Sequence, residues 1–252
     1  MPFVQMQEGR IHYLGGFVSG GLNLLFIHGA GGRADQWKDQ VKAVAASVAV
    51  DLPGHGRSEG TAYHRISHYA DFIRRFIQVL GLKTVEVVPV GHSMGGAVAL
   101  QLALDAPGAF AALGLVSTGA RLRVWPETIE RFSRGEHDFG FIEAAYHQEA
   151  PPVLVQEARR QWSQTPPEVI AADLQACDRF DVMERLGEIK LPVLVTCGTG
   201  DRLTPVKYSR YLAENLPDAV LRLVEKSGHM LMLEAPAQLN RILLDFKVGI
   251  IS

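Results

Sequence analysis

Short apolar runs alternate with amphipathic stretches along most of this chain, a pattern that predicts strands regularly followed by helices. Arg10 to Leu14 and Leu22 to Ile27 read as two strands joined by the turn at 15–21, the second an apolar run of the kind found in a sheet covered on both faces. Asp35 is a candidate N-cap for a helix through Trp37, Val41, Val44 and Ala45. A short strand, Ser47 to Val50, follows. Ile66, Tyr69, Ala70, Ile73, Phe76, Ile77 and Leu80 then recur at helical spacing up to Gly81. Val85 to Val90 predicts a buried strand, and a helix runs from Met94 to Asp105, with Pro107 marking its end. Phe110 to Ser117 is another buried strand.

From Arg121 to Ile189 the pattern changes. No strand-like run occurs there, and helical segments are expected over Glu127–Arg134, Phe139–Gln148, Pro152–Gln164 and Glu168–Leu186, punctuated by Pro126, Pro151, Pro152, Pro166 and Pro167. Alternation then resumes with a strand at Val193–Cys197, a helix at Val206–Leu216, a strand at Ala219–Val224 and a helix from Pro236 to about Phe246. The expected fold class is α/β, with a mainly parallel central sheet and helices on both faces. Residues 1–120 and 190–252 form its core, and 121–189 are an inserted helical cap. Ligands in such sheets bind at the C-terminal strand ends, so the insertion should sit over the site like a lid.

The strand-to-helix corner after Val90 carries the chemistry. Gly91-His92-Ser93-Met94-Gly95 is a G-x-S-x-G pattern, in which a serine is held on a strained turn with its hydroxyl exposed. A side chain at 91 or 95 would meet the neighbouring backbone. Helix onset after Ser93 aims free N–H groups, Met94's among them, at whatever the hydroxyl attacks.

A serine hydroxyl needs a base, and the base needs a third group to hold it. In this fold the partners should follow in the order serine, acid, histidine. Asp201 is the single carboxylate in the loop after the Val193 strand. His229, in the loop after the Ala219 strand, is the single histidine beyond His147. Each has a plainer alternative: Asp201 as a cap for the next helix, His229 as a solvated loop residue. Negative charge built on a carbonyl oxygen requires fixed donors, and the loop His28-Gly29-Ala30-Gly31 follows the right strand to supply one beside Met94.

Taken together, these segments resemble the α/β-hydrolase fold enzymes along nearly the whole chain. The HG-x-G loop at His28, the segment Asp51 to Ser58, G-H-S-M-G-G at Gly91, G-x-x-D at Gly198 and G-H at Gly228 stand in that family's order. The resemblance implies Ser93 as nucleophile, His229 as base and then acid, Asp201 orienting His229, and the N–H groups of Ala30 and Met94 as the oxyanion hole. Serine at 93 argues against epoxide hydrolases and haloalkane dehalogenases, which place aspartate there. The HGAGG loop lacks both the HG-x-G-P-G-A pattern of many C–C bond hydrolases and the triple glycine of hormone-sensitive-lipase-type esterases. The chain looks most like small bacterial carboxylesterases and 3-oxoadipate enol-lactonase-like hydrolases. The expected activity is cleavage of a small-molecule carboxylic ester through an acyl-enzyme. Alternatives are a lactone, thioester or β-diketone C–C substrate, or a ligand receptor on the hydrolase fold with little turnover.

The remaining features narrow the setting. A net charge of −2 offers no footprint for nucleic acid, and no basic run suggests a membrane surface. The N-terminus lacks the pattern of a signal peptide, no apolar run approaches membrane-span length, and Cys177 and Cys197 are expected as reduced core thiols, so a cytoplasmic location is expected. No cofactor is expected. His12, His64, His68, His137 and His147 show no metal-ligand spacing. His55 and His92 are read as structural, the latter pointing away from the nucleophile by alternation. Trp37 is a candidate core anchor. Trp125, Trp162, Phe139, Phe141 and Tyr146 either line an acyl pocket or pack the cap helices. Arg121 and Arg123 either face a substrate carboxylate or lie on a solvated cap edge.

Overall fold

The structure of the protein is a computed structural model that describes residues 2–251. Eight strands form one sheet: β1 (Phe3–Met6), β2 (Gly9–Gly16), β3 (Asn23–Ile27), β4 (Ser47–Val50), β5 (Val87–His92), β6 (Leu113–Val116), β7 (Val193–Gly198) and β8 (Ala219–Val224), in the spatial order β1-β2-β4-β3-β5-β6-β7-β8. β1 and β2 pair antiparallel, as do β2 and β4; every other neighbour is parallel. This is the α/β fold the alternation predicts. The parallel register (Val50 beside Ile27, Ile27 beside Gly91, His92 beside Val116, Gly198 beside Val224) brings the C-terminal ends of six strands to one edge.

The β3 run is buried along its whole length because successive residues serve opposite faces. Leu25 and Ile27 join a cluster with Ile73 and Phe76 of α2 (Ile66–Val79) and Val98 of α3 (Met94–Asp105). Leu24 and Phe26 join one with Trp37 and with Leu239 and Leu243 of the C-terminal helix Pro236–Ile251. Trp37 is the expected anchor: it has no exposed surface, and its indole stacks on Phe26 with centroids 4.7 Å apart.

Several boundaries differ from the sequence expectation, each for a local reason. β1 is an additional strand that the pattern does not predict; it is a short edge strand, mostly exposed, with no alternation to betray it. Val85 lies in a 3₁₀ turn (Thr84–Glu86) and is solvent-exposed, so β5 begins at Val87. Phe110 is core but precedes β6, which starts at Leu113. Asp35 does not cap a helix. Arg33 occupies that position before a 3₁₀ turn (Ala34–Trp37) that leads into α1 (Lys38–Ala43), and the Asp35 carboxylate pairs with Arg57. The last helix runs beyond Phe246 to Ile251.

Between β6 and β7 come α4 (Pro126–Ser133), α5 (Phe139–Ala144), α6 (Pro152–Trp162) and α7 (Pro167–Asp178). The helix expected over 168–186 stops at Asp178. There the backbone turns back to the core, Val182 N–H donates to the Ala120 carbonyl, and Phe180, Val182 and Leu186 are buried in the main cluster. Among the described residues no helix is long and apolar enough to cross a membrane.

Candidate active site

Ser93 sits between β5 and α3 with φ 52° and ψ −117°, a left-handed conformation disfavoured for a residue with a Cβ. The flanking glycines make the turn possible. A Cβ on Gly91 would lie 1.9 Å from the Gly95 carbonyl oxygen, and one on Gly95 would lie 2.2 Å from the Ile27 oxygen. The turn is held by Ser93 N–H donating to the Val116 carbonyl (3.0 Å) and by Thr118 Oγ1 donating to the Ser93 carbonyl (2.7 Å).

His229 and Asp201, 28 residues apart in the chain, meet at the same strand edge. His229 Nδ1 lies 2.9 Å from Asp201 Oδ2. Asp201 Oδ1 accepts the Leu203 and Thr204 N–H groups, both at 2.9 Å, and Thr204 Oγ1 donates to Oδ2 at 2.8 Å. Burial works to raise the Asp201 carboxyl, but the His229 ring and these donors outweigh it and hold the group below its ordinary value. The capping alternative is therefore half realised: Asp201 orders its own loop, while Pro205 occupies the position before the next helix, α8 (Val206–Asn215). Because Nδ1 is engaged with a carboxylate, Nε2 is the His229 nitrogen left outside that pair.

The loop bearing His229 is fixed by a residue that no sequence pattern marks. Glu234, within the short helix Leu231–Glu234, accepts the N–H groups of Gly228, Met230 and His147. The His229 N–H itself donates to the Ala145 carbonyl (2.8 Å), tying the loop to the segment that follows α5.

Ser93 and His229 face a cavity of about 380 Å³, in the range of small-molecule sites. Its walls include Trp125, Phe141, Tyr146 and Trp162, so four of the five candidate aromatics reach it. Phe139 does not; it is partly exposed beneath the Arg159 guanidinium. Trp125 is 79% exposed at the cavity's rim. Arg123 also lines the cavity and donates to the Asp178 carbonyl, whereas Arg121 pairs at the surface with Asp181.

His92 departs from its expected orientation. It lines the cavity, its ring packs on His229 with centroids 4.6 Å apart, and its Nε2–H donates to the His229 carbonyl at 3.0 Å. Burial, then repulsion from His229, hold its pKa well below the ordinary histidine range, so it is a neutral prop for the adjacent ring.

The glycine loop after β3 completes the site. A Cβ on Gly29 would lie 3.1 Å from that of Ser93 and 2.9 Å from His92 Nδ1, so this backbone packs tightly against the serine turn. The Ala30 N–H has no acceptor among the described residues. The Met94 N–H, first in α3, likewise precedes the first donors of the helical ladder, the Gly96 and Ala97 N–H groups that the Ser93 carbonyl accepts. His28 anchors the loop's start: its Nδ1–H donates to the Gly29 carbonyl (2.8 Å) and its Nε2 accepts the Leu52 N–H (3.1 Å). That pattern requires a neutral ring. Burial first, and the charge of His55 second, lower its pKa to about 4.

A serine on a strained strand-to-helix turn, above a largely parallel sheet and beside a carboxylate-bound histidine, defines the class as α/β-hydrolase. Residues 24–242 match the model of the Alpha/beta hydrolase family, and the chain belongs to that family. It is 32% identical over 254 residues to the "Putative carbamate hydrolase RutD" of Variovorax paradoxus (strain S110), covering 94% of this chain and 95% of that one. Among solved structures, a thermophilic esterase superposes with a TM-score of 0.84 at 32% identity, covering 99% of this chain and 97% of the other. Est816, described as an N-acyl homoserine lactone degrading enzyme, superposes with a TM-score of 0.83 at 27% identity, covering 97% and 100%.

Proposed function

We propose that the protein is a serine hydrolase that cleaves small carboxylic esters through an acyl-enzyme on Ser93. The observation that carries this reading is that Ser93, on its strained turn, shares a cavity with His229, whose Nδ1 is bound to Asp201. In the first step His229 Nε2 takes the Ser93 hydroxyl proton as Oγ attacks the ester carbonyl. The oxyanion is received by the N–H groups of Ala30 and Met94. The tetrahedral intermediate collapses as His229 returns the proton to the departing alcohol. Water then attacks the acyl-enzyme by the same route and releases the acid. Residues 121–189 act as the cap, and their aromatic side chains favour an apolar acyl group.

A second reading keeps the same groups and changes the acyl compound they act on. A carbamate or a lactone presents the same trigonal carbonyl, and the names of the Variovorax relative and of Est816 favour testing both. p-Nitrophenyl esters of increasing acyl length, an aryl carbamate and an acyl homoserine lactone, each given to wild type and Ser93→Ala, separate the readings. Brisk ester turnover that Ser93→Ala reduces by about 10⁴ or more is expected. A variant retaining a tenth of the activity would reject Ser93 as nucleophile, and the substrate with the highest kcat/KM assigns the leaving group.

A further inference from the structure

Asp173 is a carboxylate in the middle of α7 with no exposed surface, flanked by buried Ala172 and Leu174. An isolated charge there would be strongly unfavourable, and three donors from three distant segments answer it. Oδ2 accepts the Gly31 N–H (2.8 Å) and faces His55 Nε2 (2.7 Å), while Oδ1 accepts the Tyr69 hydroxyl. The other nitrogen of His55 lies 3.0 Å from the Pro53 carbonyl, which can only accept. With an acceptor on each side, the ring carries both protons and forms a buried ion pair with Asp173. Burial opposes that charge, but the carboxylate outweighs it and raises the His55 pKa.

The bond to Gly31 gives this pair its consequence. Gly31 adopts φ +63° in a turn closed by the Gly32 N–H donating to the Gly29 carbonyl (3.0 Å), and Thr165 Oγ1 donates to the Gly31 carbonyl (3.3 Å). Gly29 is wedged against Ser93 and His92 on one side of Ala30. On the other side, the peptide group between Ala30 and Gly31 is held by Asp173 alone among the described residues. We propose that Asp173 is a positioning residue for the oxyanion hole: by clamping Gly31 it aims the Ala30 N–H into the cavity, so that a helix of the 121–189 segment sets how well the transition state is held. This rests on the reading of Ala30 as an oxyanion donor.

Asp173→Asn separates positioning from mere structure. An asparagine that keeps its oxygen towards Gly31 and His55 turns its NH₂ to the Tyr69 hydroxyl and leaves the His55 ring without its counter-charge, so the charge-assisted clamp loosens with little change in volume. Fluorophosphonate titration taken to its end point counts intact sites. Per titrated site, kcat should fall on the order of 10- to 100-fold, less than the 10²–10³ seen when an oxyanion donor is lost outright. KM should hold. Affinity for a trifluoromethyl ketone, to which Ser93 Oγ adds as its proton passes to His229, should fall in proportion to kcat. Tyr69→Phe, which frees Oδ1 but leaves the Gly31 bond, should show the same paired loss at 3- to 10-fold, and serves alone if Asp173→Asn does not fold. A folded variant whose kcat and ketone affinity stay within twofold of wild type, or whose loss lies in KM alone, overturns the proposal. If Ser93→Ala is inactive in the same assays while Asp173→Asn is unaffected, the clamp fails and the serine mechanism stands.

Discussion

Asp201→Asn should nearly abolish activity while leaving the fold intact, and the hydrogen bonds around residue 201 say why. The wild-type carboxylate accepts two backbone N–H groups on Oδ1, and the Thr204 hydroxyl and the His229 ring on Oδ2. An asparagine has two ways to fit. If its NH₂ took the Oδ1 position, it would face two buried N–H groups, and each unanswered donor costs about 1–3 kcal/mol. The carbonyl oxygen therefore stays with Leu203 and Thr204, and the NH₂ points at Thr204 Oγ1 and His229 Nδ1. The hydroxyl can turn round and accept. The ring must give up its Nδ1 proton to accept as well, which moves that proton to Nε2, the nitrogen that should receive the proton of Ser93. The base is thus blocked by its tautomer, not displaced. A loss on the order of 10⁴ in kcat is expected, equivalent to about 5 kcal/mol of transition-state stabilisation. Both backbone donors in the loop keep their acceptor, so the melting temperature at neutral pH should fall by only a few degrees. At low pH the two proteins should converge. The Asp201 carboxyl lies below its usual 3.8 in the folded state, so its contribution to stability is complete above that value and is lost as pH falls through the lower folded value. The asparagine variant has no such limb. Steady-state kinetics on p-nitrophenyl acetate and melting curves between pH 2 and 8 test both parts. A variant with more than a tenth of wild-type kcat, or one unfolded at neutral pH, would refute the tautomer argument.

Ser93→Gly should be inactive yet more stable, because glycine relieves a left-handed residue costing about 1–3 kcal/mol and returns only part of that to unfolded-chain entropy; a lower melting temperature than wild type would contradict the strain. Gly95→Ala should unfold at lower denaturant and lose activity, since its methyl would meet the Ile27 and His28 carbonyl oxygens at 2.2 and 2.7 Å; near-normal unfolding would show that α3 can shift away at no cost. Glu234→Ala strips three N–H groups of their acceptor around His229 and should destabilise by several kcal/mol, with Glu234→Gln milder; equal melting temperatures for the two would argue against the clamp. His28 has a folded pKa near 4 against 6.5 ordinarily, so its contribution is full above pH 6.5 and lost as pH falls towards 4, on the order of 3 kcal/mol; acid unfolding of His28→Gln should lack that part of the slope.

Much of this site is legible in the order of residues alone. The glycines at 91 and 95 signal a turn too tight for side chains, and the succession of Ser93, Asp201 and His229 along the chain points to a shared strand edge. The burial of β3 and the helical spacing of α2 are equally plain, because periods of 2 and 3.6 residues are local properties that a few consecutive side chains express. Asp173 is visible as a charge within an apolar helix, but nothing near it in the chain names Gly31, His55 and Tyr69 as its partners, 142, 118 and 104 residues away. The role of Glu234 and the inward turn of His92 are hidden for the same reason. A buried charge is tolerable only where remote segments bring donors to it, and that meeting is settled by how helices and sheet pack in three dimensions, not by the order of residues along any one of them.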